Sequence, residues 1–212
     1  MIPLEHCIQR FITYSKRHGF LGTLRRLELS YTRIKDGQNF ILFSCDLKNF
    51  TPVHVNGLAH VSVERKKDVA ELGSQDLFQI LHIWNPVIAR RQLVERFQRG
   101  ASLWILKLEG DLVAYGWTLV GKTIEPYFFS LNSNEVHLFD FFVFPAFRGR
   151  KINLALMNHI LAALASEQKS RALIEAAEWN SAQLSSLKNS QFQQVGRARK
   201  GTVFRKAKVK WN

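Results

Sequence analysis

The chain has 212 residues, of which 46% are hydrophobic and 12% aromatic, a composition that can form a packed core and that excludes global disorder. Its 30 Lys and Arg exceed its 17 Asp and Glu, so the formal net charge is +13, which favours phosphorylated cofactors and anionic surfaces as ligands. The two cysteines, Cys7 and Cys45, are too few for a disulfide framework or a cysteine-rich zinc site. No apolar run is long enough for a membrane span or has the form of a signal peptide, and we therefore expect a cytoplasmic protein.

Residues 1–50 predict a basic amphipathic N-terminal extension that contains one strand, at 40–47. Apolar residues such as Ile8, Phe11 and Ile12 recur on one helical face, and Gly19 separates two short helices. Cations flank this face at Arg10, Lys16, Arg17, Arg25 and Arg26. We favour packing of these helices on their own domain, and the alternative is docking on an anionic membrane surface.

Residues 51–212 predict one mixed α/β domain. The turn sequence Glu-Gly-Asp at 109–111 lies between two apolar runs and predicts a β-hairpin of 102–108 with 112–120. Residues 136–144 predict a strand with apolar side chains on both faces, which is typical of a sheet interior. The other predicted elements are a strand at 58–64, helices that begin near 74, 86 and 152, a strand at 171–177, a helix at 180–189 capped by Asn180, and a hairpin of 194–199 with 203–209.

The loop at 146–153, Ala-Phe-Arg-Gly-Arg-Lys-Ile-Asn, joins the strand at 136–144 to the following helix. The first turn of a helix presents unpaired backbone N–H groups and a partial positive charge, so it attracts anions. Gly149 allows the backbone to approach a ligand, while Arg148, Arg150 and Lys151 add formal charge. These features suit a pyrophosphate, and an ordinary exposed basic turn is the alternative.

Two segments resemble signatures of the GCN5-related N-acetyltransferase (GNAT) superfamily. Residues 143–161 are similar to its motif A, which is V-x-P-x-[FY]-R followed by [QR]-x-x-G-x-[GA] at the start of a helix. The matching residues of this segment are Val143, Pro145, Phe147, Arg148, Gly149, Ile152 and Leu156. Residues 180–196 are similar to a second signature of the family, through Asn180, Leu187, Phe192 and Gly196.

The resemblance implies a mixed, mostly antiparallel central sheet with helices on both faces and a parallel strand pair, 136–144 and 171–177, splayed at its centre. It also implies acetyl-CoA as co-substrate, no metal, and direct attack of a primary amine on the thioester. In such enzymes a backbone N–H, here that of Val143, polarises the thioester carbonyl. The residues implied to bind the cofactor are Phe141, Phe142, Val143, Arg148, Gly149, Arg150, Lys151, Ile152, Asn153 and Asn180.

The attacking amine must lose a proton, and two residues are the leading candidates for the base, ahead of the weaker candidates Glu135, Glu175 and Glu178. His137 stands six residues before Val143, where several relatives carry a Glu or His with this role, and histidine titrates near neutral pH. Asp140 is a carboxylate among phenylalanines, and strand alternation places it on the opposite face from His137. The alternatives are a capping or surface role for His137 and a buried, partnered carboxylate for Asp140.

Four residues depart from the family pattern, among them Gln191, which replaces a glycine. Lys151 and Asn153 occupy positions where small residues are usual, and Leu187 stands where many relatives have a tyrosine that protonates the leaving thiolate. A first alternative to the enzyme is therefore an acyl-CoA-binding module without efficient catalysis. A second, ranked below it, is a basic nucleic-acid-binding protein. The sequence leaves the acceptor amine, the acyl length and the oligomeric state open.

Overall fold

The structure is a computed structural model, and it describes residues 15, 19, 21–24, 38–52, 60–83, 85–124, 128, 130–200 and 207–211. Residues 15, 19 and 21–24 are helical. The rest of the two predicted N-terminal helices, with the cations that flank them, lies outside the described residues. The membrane-docking interpretation therefore stays a prediction.

Eight strands of the described chain form one sheet in the order β2-β3-β4-β5-β6-β1-β7-β8. Neighbouring strands are antiparallel except β5 and β6, which are parallel, and this confirms the predicted mixed, mostly antiparallel sheet. The strands are β1 (Gln38–Asp46), β2 (Val61–Lys66), β3 (Ser102–Leu108), β4 (Asp111–Val120), β5 (Glu135–Val143), β6 (Arg171–Ala177), β7 (Gln193–Lys200) and β8 (Ala207–Trp211).

Helices cover both faces of the sheet, as predicted. They are α1 (Ser74–His82), α2 (Pro86–Gln98), α3 (Ile152–Ser166) and α4 (Ser181–Lys188), with short 3-10 turns at Val69–Glu71 and Pro145–Phe147. Polar side chains fix two of the helix starts: Asn85 accepts the N–H groups of Val87 and Ile88, and Asn180 accepts that of Gln183. Asn180 is thus the N-cap that the sequence predicted.

The two faces carry separate cores. On one face α3 and α4 pack on alternate residues of the central strands, including Leu138 of β5 and Ile174 of β6. On the other face α1 and α2 pack on a second set, which includes Trp117 of β4 and Phe139 of β5. Because helices cover both faces of the sheet, most side chains of β5 are apolar on either side, and the strand reads as a near-continuous hydrophobic run.

The first strand is an interior strand of the sheet. β1 pairs with β6 on one side and with β7 on the other, and its Leu42, Phe43 and Cys45 are buried. Phe43 and Cys45 belong to the core beneath α3. The strand within the N-terminal extension is therefore packed into the same sheet as the residues that follow it.

A β-bulge interrupts the pairing of β4 with β5. Trp117 pairs with Phe139 and Tyr115 with Phe142, so the single residue Gly116 lies opposite both Asp140 and Phe141. Asp140 has a φ of 50°, a left-handed conformation that costs most residues free energy but is more accessible to Asp. The extra residue changes which side chains of β5 face each core.

Candidate active site

The parallel strands β5 and β6 form a fork. They pair only through Glu135, Val136 and His137 of β5 with Arg171, Ala172 and Leu173 of β6. Beyond His137 and Leu173 both strands continue without pairing to each other. Since a bulged strand bends at its extra residue, the bulge at Asp140 accounts for the divergence of β5 from β6.

A cleft of about 720 Å³ lies at the open end of this fork. β5 supplies one wall through Phe141, Phe142 and Val143, the α3 loop supplies a second, and α4 supplies a third. Nine of the ten residues that the sequence assigned to cofactor binding line the cleft. They are Phe141, Phe142, Val143, Arg148, Gly149, Lys151, Ile152, Asn153 and Asn180. Arg150 is the exception: it is exposed, and its guanidinium lies 5.8 Å from the Phe147 ring centroid.

Backbone donors of β5 point into the fork. The Phe144 N–H donates to the Val113 carbonyl, and these two residues lie directly opposite each other. Hydrogen-bonded and non-hydrogen-bonded pairs alternate along antiparallel strands. The preceding pair, Val143 with Ala114, is therefore a non-hydrogen-bonded one. The N–H of Val143 is therefore directed away from β4, towards the side from which β6 has separated. The N–H of Phe141, two residues earlier, has the same direction.

The loop before α3 presents further donors to the cleft. Gly149 has a φ of 82°, and a Cβ built there would meet no atom within 4 Å, so the surface beside it is open. The first α-helical bond of α3 runs from the Ala155 N–H to the Lys151 carbonyl. The N–H groups of Ile152, Asn153 and Leu154 thus have no partner within the helix, as at any helix start, and these three residues line the cleft.

Arg148 and Lys151 hold this loop in shape. The Arg148 Nε donates to the Val143 carbonyl at 3.2 Å, and its guanidinium lies 5.8 Å from the centroid of the Phe142 ring. Lys151 is the N-cap of α3 with a φ of 57°, in the left-handed region that glycine adopts without strain. Lys151 therefore keeps the glycine-like backbone of the family pattern while it adds a positive charge to the cleft.

A side-chain hydrogen bond joins the walls formed by α3 and α4. Asn153 Nδ2 donates to Gln183 Oε1 at 3.0 Å, and both residues line the cleft. Asn153 thus stands at a position where the family usually has a small residue, and its side chain contacts the opposite wall of the cleft. The cleft also contains Ala182, Ser185, Ser186 and Asn189, which sequence reasoning missed although their 182, 185, 186, 189 spacing defines one helical face.

The two candidate bases lie on the same face of the sheet, opposite α3. His137 is buried, with a side chain 1% exposed, and its Nε2 lies 3.0 Å from Glu175 Oε2 on β6. Its ring also stacks on Phe139 at 5.2 Å between centroids. His137 is therefore neither a capping nor a surface residue; it belongs to a buried pair that sequence reasoning did not join, since 38 residues separate its members.

Strand alternation predicted that Asp140 lies on the face opposite His137, and this prediction is wrong. The bulge places it beside α2, where its Oδ2 accepts a hydrogen bond from Arg96 Nη1 at 2.5 Å. The Arg96 guanidinium lies 5.1 Å from the Trp117 ring centroid and 5.5 Å from that of Phe139. Burial, assisted by the Asp140 carboxylate, raises the pKa of the neighbouring Tyr115 well above its usual range, so this phenol stays protonated.

Leu187 is 0% exposed and belongs to the core beneath α3. The Leu187 side chain therefore packs inside the protein and does not line the cleft. In the described part of the chain, no group of three or more His, Cys, Asp or Glu could hold a metal ion. Among the described helices, none has the length and apolar character that a membrane span requires.

Residues 70–186 match the Acetyltransferase (GNAT) family. Similar solved structures include a GNAT-family acetyltransferase from Colwellia psychrerythraea, with 13% identity and a TM-score of 0.53, over 74% of this chain and 53% of that one. A GCN5-related N-acetyltransferase from Sphaerobacter thermophilus has 11% identity and a TM-score of 0.52, over 84% and 55% of the two chains.

A third similar structure is the GCN5-related glucosamine N-acetyltransferase region of a fungal multi-domain GH3 β-N-acetylglucosaminidase. It has 11% identity and a TM-score of 0.54, over 82% of this chain and 22% of that one. The chain thus spans little more than half the length of the first two structures and about a fifth of the third. At these identities the similarity concerns the fold. No curated protein is significantly similar to the chain.

Proposed function

We propose that this chain, which belongs to the GNAT family of acetyltransferases, transfers an acetyl group from acetyl-CoA to a primary amine. The observation that carries the proposal is the cleft at the open end of the β5–β6 fork. It combines three features that suit an acyl-CoA: a basic helix start for phosphates, a wall of polar side chains on α4, and unpaired strand donors for the amides and the thioester.

The residues around the cleft fit this co-substrate. The open surface beside Gly149 and the N–H groups at the start of α3 suit the pyrophosphate, and Arg148 and Lys151 add charge. Pantetheine has amide groups that pair with strand donors, which here are the N–H groups of Phe141 and Val143. Asn180 and the polar face of α4 close the opposite side.

The transfer needs no covalent intermediate with the protein. The amine nitrogen attacks the thioester carbonyl carbon, the carbonyl oxygen gains negative charge, and the carbon–sulfur bond then breaks with its electron pair on sulfur. An N–H of the unpaired part of β5, that of Val143 or that of Phe141, stabilises the developing charge when it is directed at that oxygen, and one such donor typically contributes about 3–4 kcal/mol. His137 and Asp140 are our candidates for the group that receives the amine proton, and they lie on the sheet face away from α3.

Calorimetric titration with acetyl-CoA and with CoA tests the binding step. Arg148→Ala should raise Kd about 10-fold or more, since a hydrogen bond to a charged group contributes roughly 1.5–3 kcal/mol. Arg150→Ala is the matched control, because Arg150 is exposed and does not line the cleft. The absence of binding by the wild-type protein would refute the proposal, and equal losses in both variants would refute the assignment of the cleft.

A panel of amines tests the transfer step: a polyamine, an amino acid, a peptide amine and an amino sugar. The amino sugar is included because the fungal region of similar fold is a glucosamine N-acetyltransferase. Release of the CoA thiol, matched by an acetylated product in the mass spectrum, is the expected result for at least one acceptor. Thiol release without an acetylated amine would show hydrolysis and would contradict the proposal.

A second candidate function is an acyl-CoA-binding module that transfers the acetyl group inefficiently. The leucine at position 187 favours it, because this side chain cannot protonate the leaving thiolate, and the proton must come from solvent or from another residue. Binding of acetyl-CoA with no acetylation across the amine panel would select this second function. Multiple turnovers with any amine would eliminate it.

A further inference from the structure

We infer that Glu175 is the residue that takes the proton from the acceptor amine, and that His137 behind it is a positioning residue. The inference rests on the proposed acetyl transfer and identifies the base of that reaction. It replaces His137 as the group that touches the substrate.

The accessible member of the buried pair is the carboxylate. The His137 side chain is 1% exposed and that of Glu175 is 22% exposed, with 3.0 Å between His137 Nε2 and Glu175 Oε2. A ring enclosed to this degree does not contact a substrate that arrives from solvent. It can donate its Nε2–H to the carboxylate and hold it in one orientation, which is how an imidazole supports a neighbouring acid or base.

The place of Glu175 in the fork agrees with this role. Glu175 stands two residues beyond Leu173, the last residue of β6 that pairs with β5. In the parallel register it is level with Phe139, so the Phe141 N–H is about two residues, or roughly 7 Å, further along β5. A glutamate side chain spans much of that distance, and a thioester held by the Phe141 N–H would bring the attacking nitrogen within its reach.

The face of the sheet also agrees. Ile174 and Ala176 point into the core beneath α3, so Glu175 between them points to the opposite face, as its bond to His137 requires. Phosphates at the start of α3 place the co-substrate on the α3 side, which leaves this opposite face for the amine. Asp140 lies on that face too, but it is engaged by Arg96 at 2.5 Å.

The proposed step balances without another reactant. As the nitrogen lone pair bonds to the carbonyl carbon, the nitrogen becomes acidic and an N–H proton moves to a Glu175 carboxylate oxygen. The carbon–sulfur electron pair leaves with sulfur as the CoA thiolate. The proton then passes from Glu175 to the thiolate or to solvent, and the carboxylate is restored.

Four variants separate the two roles, assayed with acetyl-CoA and an amine from the panel that the wild-type protein acetylates. Glu175→Gln keeps the size but cannot accept the proton, so kcat should fall about 100-fold or more, with the Kd of acetyl-CoA and the melting temperature unchanged. Glu178→Gln is the matched control, because Glu178 is exposed just beyond the end of β6, and kcat should stay at the wild-type value. His137→Gln retains an amide N–H near the position of Nε2 and should keep kcat within about 10-fold of wild type, whereas His137→Leu, without a donor, should lose more.

The outcomes are distinct. A low kcat in Glu175→Gln, with recovery by His137→Gln relative to His137→Leu, supports the inference. Normal turnover by Glu175→Gln overturns it while the proposed acetyl transfer stands, and so does a complete loss in His137→Gln, which would make the imidazole the base. If the wild-type protein acetylates no amine, the proposed function fails, and the inference fails with it.

Discussion

The contact between Gly116 and Phe141 supports a quantitative prediction about the cleft wall. A Cβ added at Gly116 would lie 2.6, 2.8 and 2.9 Å from three ring carbons of Phe141, much closer than carbon atoms normally approach. Gly116→Ala must therefore displace the Phe141 ring or the strand that carries it. Because Phe141 lines the cleft, the substitution should affect both stability and ligand binding.

The expected cost follows from the overpacking of a fixed core. Inserting a methyl group into such a site costs typically about 1–3 kcal/mol, while replacement of glycine by alanine returns roughly 0.4–1 kcal/mol through the unfolded chain. We expect a net loss of about 1–2 kcal/mol. For a chain of this size each kcal/mol corresponds to about 2–4 °C in melting temperature, so the loss is measurable by urea or thermal unfolding.

A double-mutant cycle with Phe141→Ala assigns the loss to this contact. Once the ring is absent, the new methyl group occupies free space, and Gly116→Ala should become neutral or slightly stabilising. The coupling free energy should then be about 1–3 kcal/mol. The Kd of acetyl-CoA should rise about 10-fold in Gly116→Ala, because the displaced ring narrows the cleft.

Gly73→Ala provides the control. A Cβ there would lie 3.8 Å from Asp76 Oδ2, which is an ordinary contact. Alanine is a poorer N-cap than glycine, but it also lowers the conformational entropy of the unfolded chain. These two effects oppose each other and should leave the free energy of unfolding within about 0.5 kcal/mol of wild type. The reasoning would be refuted by equal stability changes in the two alanine variants, or by additive free energies in the cycle with Phe141→Ala.

Three further predictions concern other parts of the molecule. Burial, with a smaller effect of the Asp46 carboxylate, raises the pKa of Cys45 to about 11. The thiol of the unfolded chain ionises at lower pH than the buried thiol. The neutral Cys45 thiol therefore makes its full contribution to the free energy of unfolding below about pH 9. This contribution decreases as the pH rises to about 11, by at most about 1.4 kcal/mol per pH unit. Urea unfolding of the wild type and of Cys45→Ala over this range measures the difference, and parallel pH profiles would contradict it. Lys151→Gly and Lys151→Ala both remove a charge, but only glycine adopts the φ of 57° without strain. Denaturant unfolding should therefore show that Lys151→Gly is more stable than Lys151→Ala by about 1 kcal/mol. Equal stabilities of the two variants would exclude backbone strain at this position. Because the Arg96 and Asp140 side chains are 22% and 44% exposed, their coupling in a double-alanine cycle should be modest, about 0.5–1 kcal/mol, and additive effects would mean that the ion pair is not stabilising.

The sequence predicted those elements whose signals are local. The hairpin of β3 and β4 follows from a turn between two apolar runs, and the start of α4 follows from Asn180, whose side chain caps it. Most residues of the cleft could also be predicted, because the motif residues that line it are close in the chain. The position of β1 between β6 and β7 could not be predicted, because the residue pattern of a strand does not indicate which strands lie beside it.

The candidate bases show the same limit. His137 and Glu175 contact each other across the fork, and a single sequence contains no signal that pairs residues so far apart. Asp140 was misplaced for a different reason: alternation assumes that every residue of a strand has one partner residue, and a bulge breaks that rule within the strand.

The bulge at Asp140 links these features, because it changes the phase of β5. The Gly121 N–H donates to the Glu135 carbonyl at the start of the strand, so hydrogen bonding to β4 recurs at 137 and 139. Without an extra residue, hydrogen bonding to β4 would recur at 141 and 143, and the N–H groups of Phe141 and Val143 would donate to β4. With Asp140 inserted, β4 binds Phe142 and Phe144, while Phe141 and Val143 are left to face the fork. The left-handed backbone of Asp140, tied to α2 through Arg96, is thus the local feature that turns an ordinary interior strand into one with free donors beside the cleft.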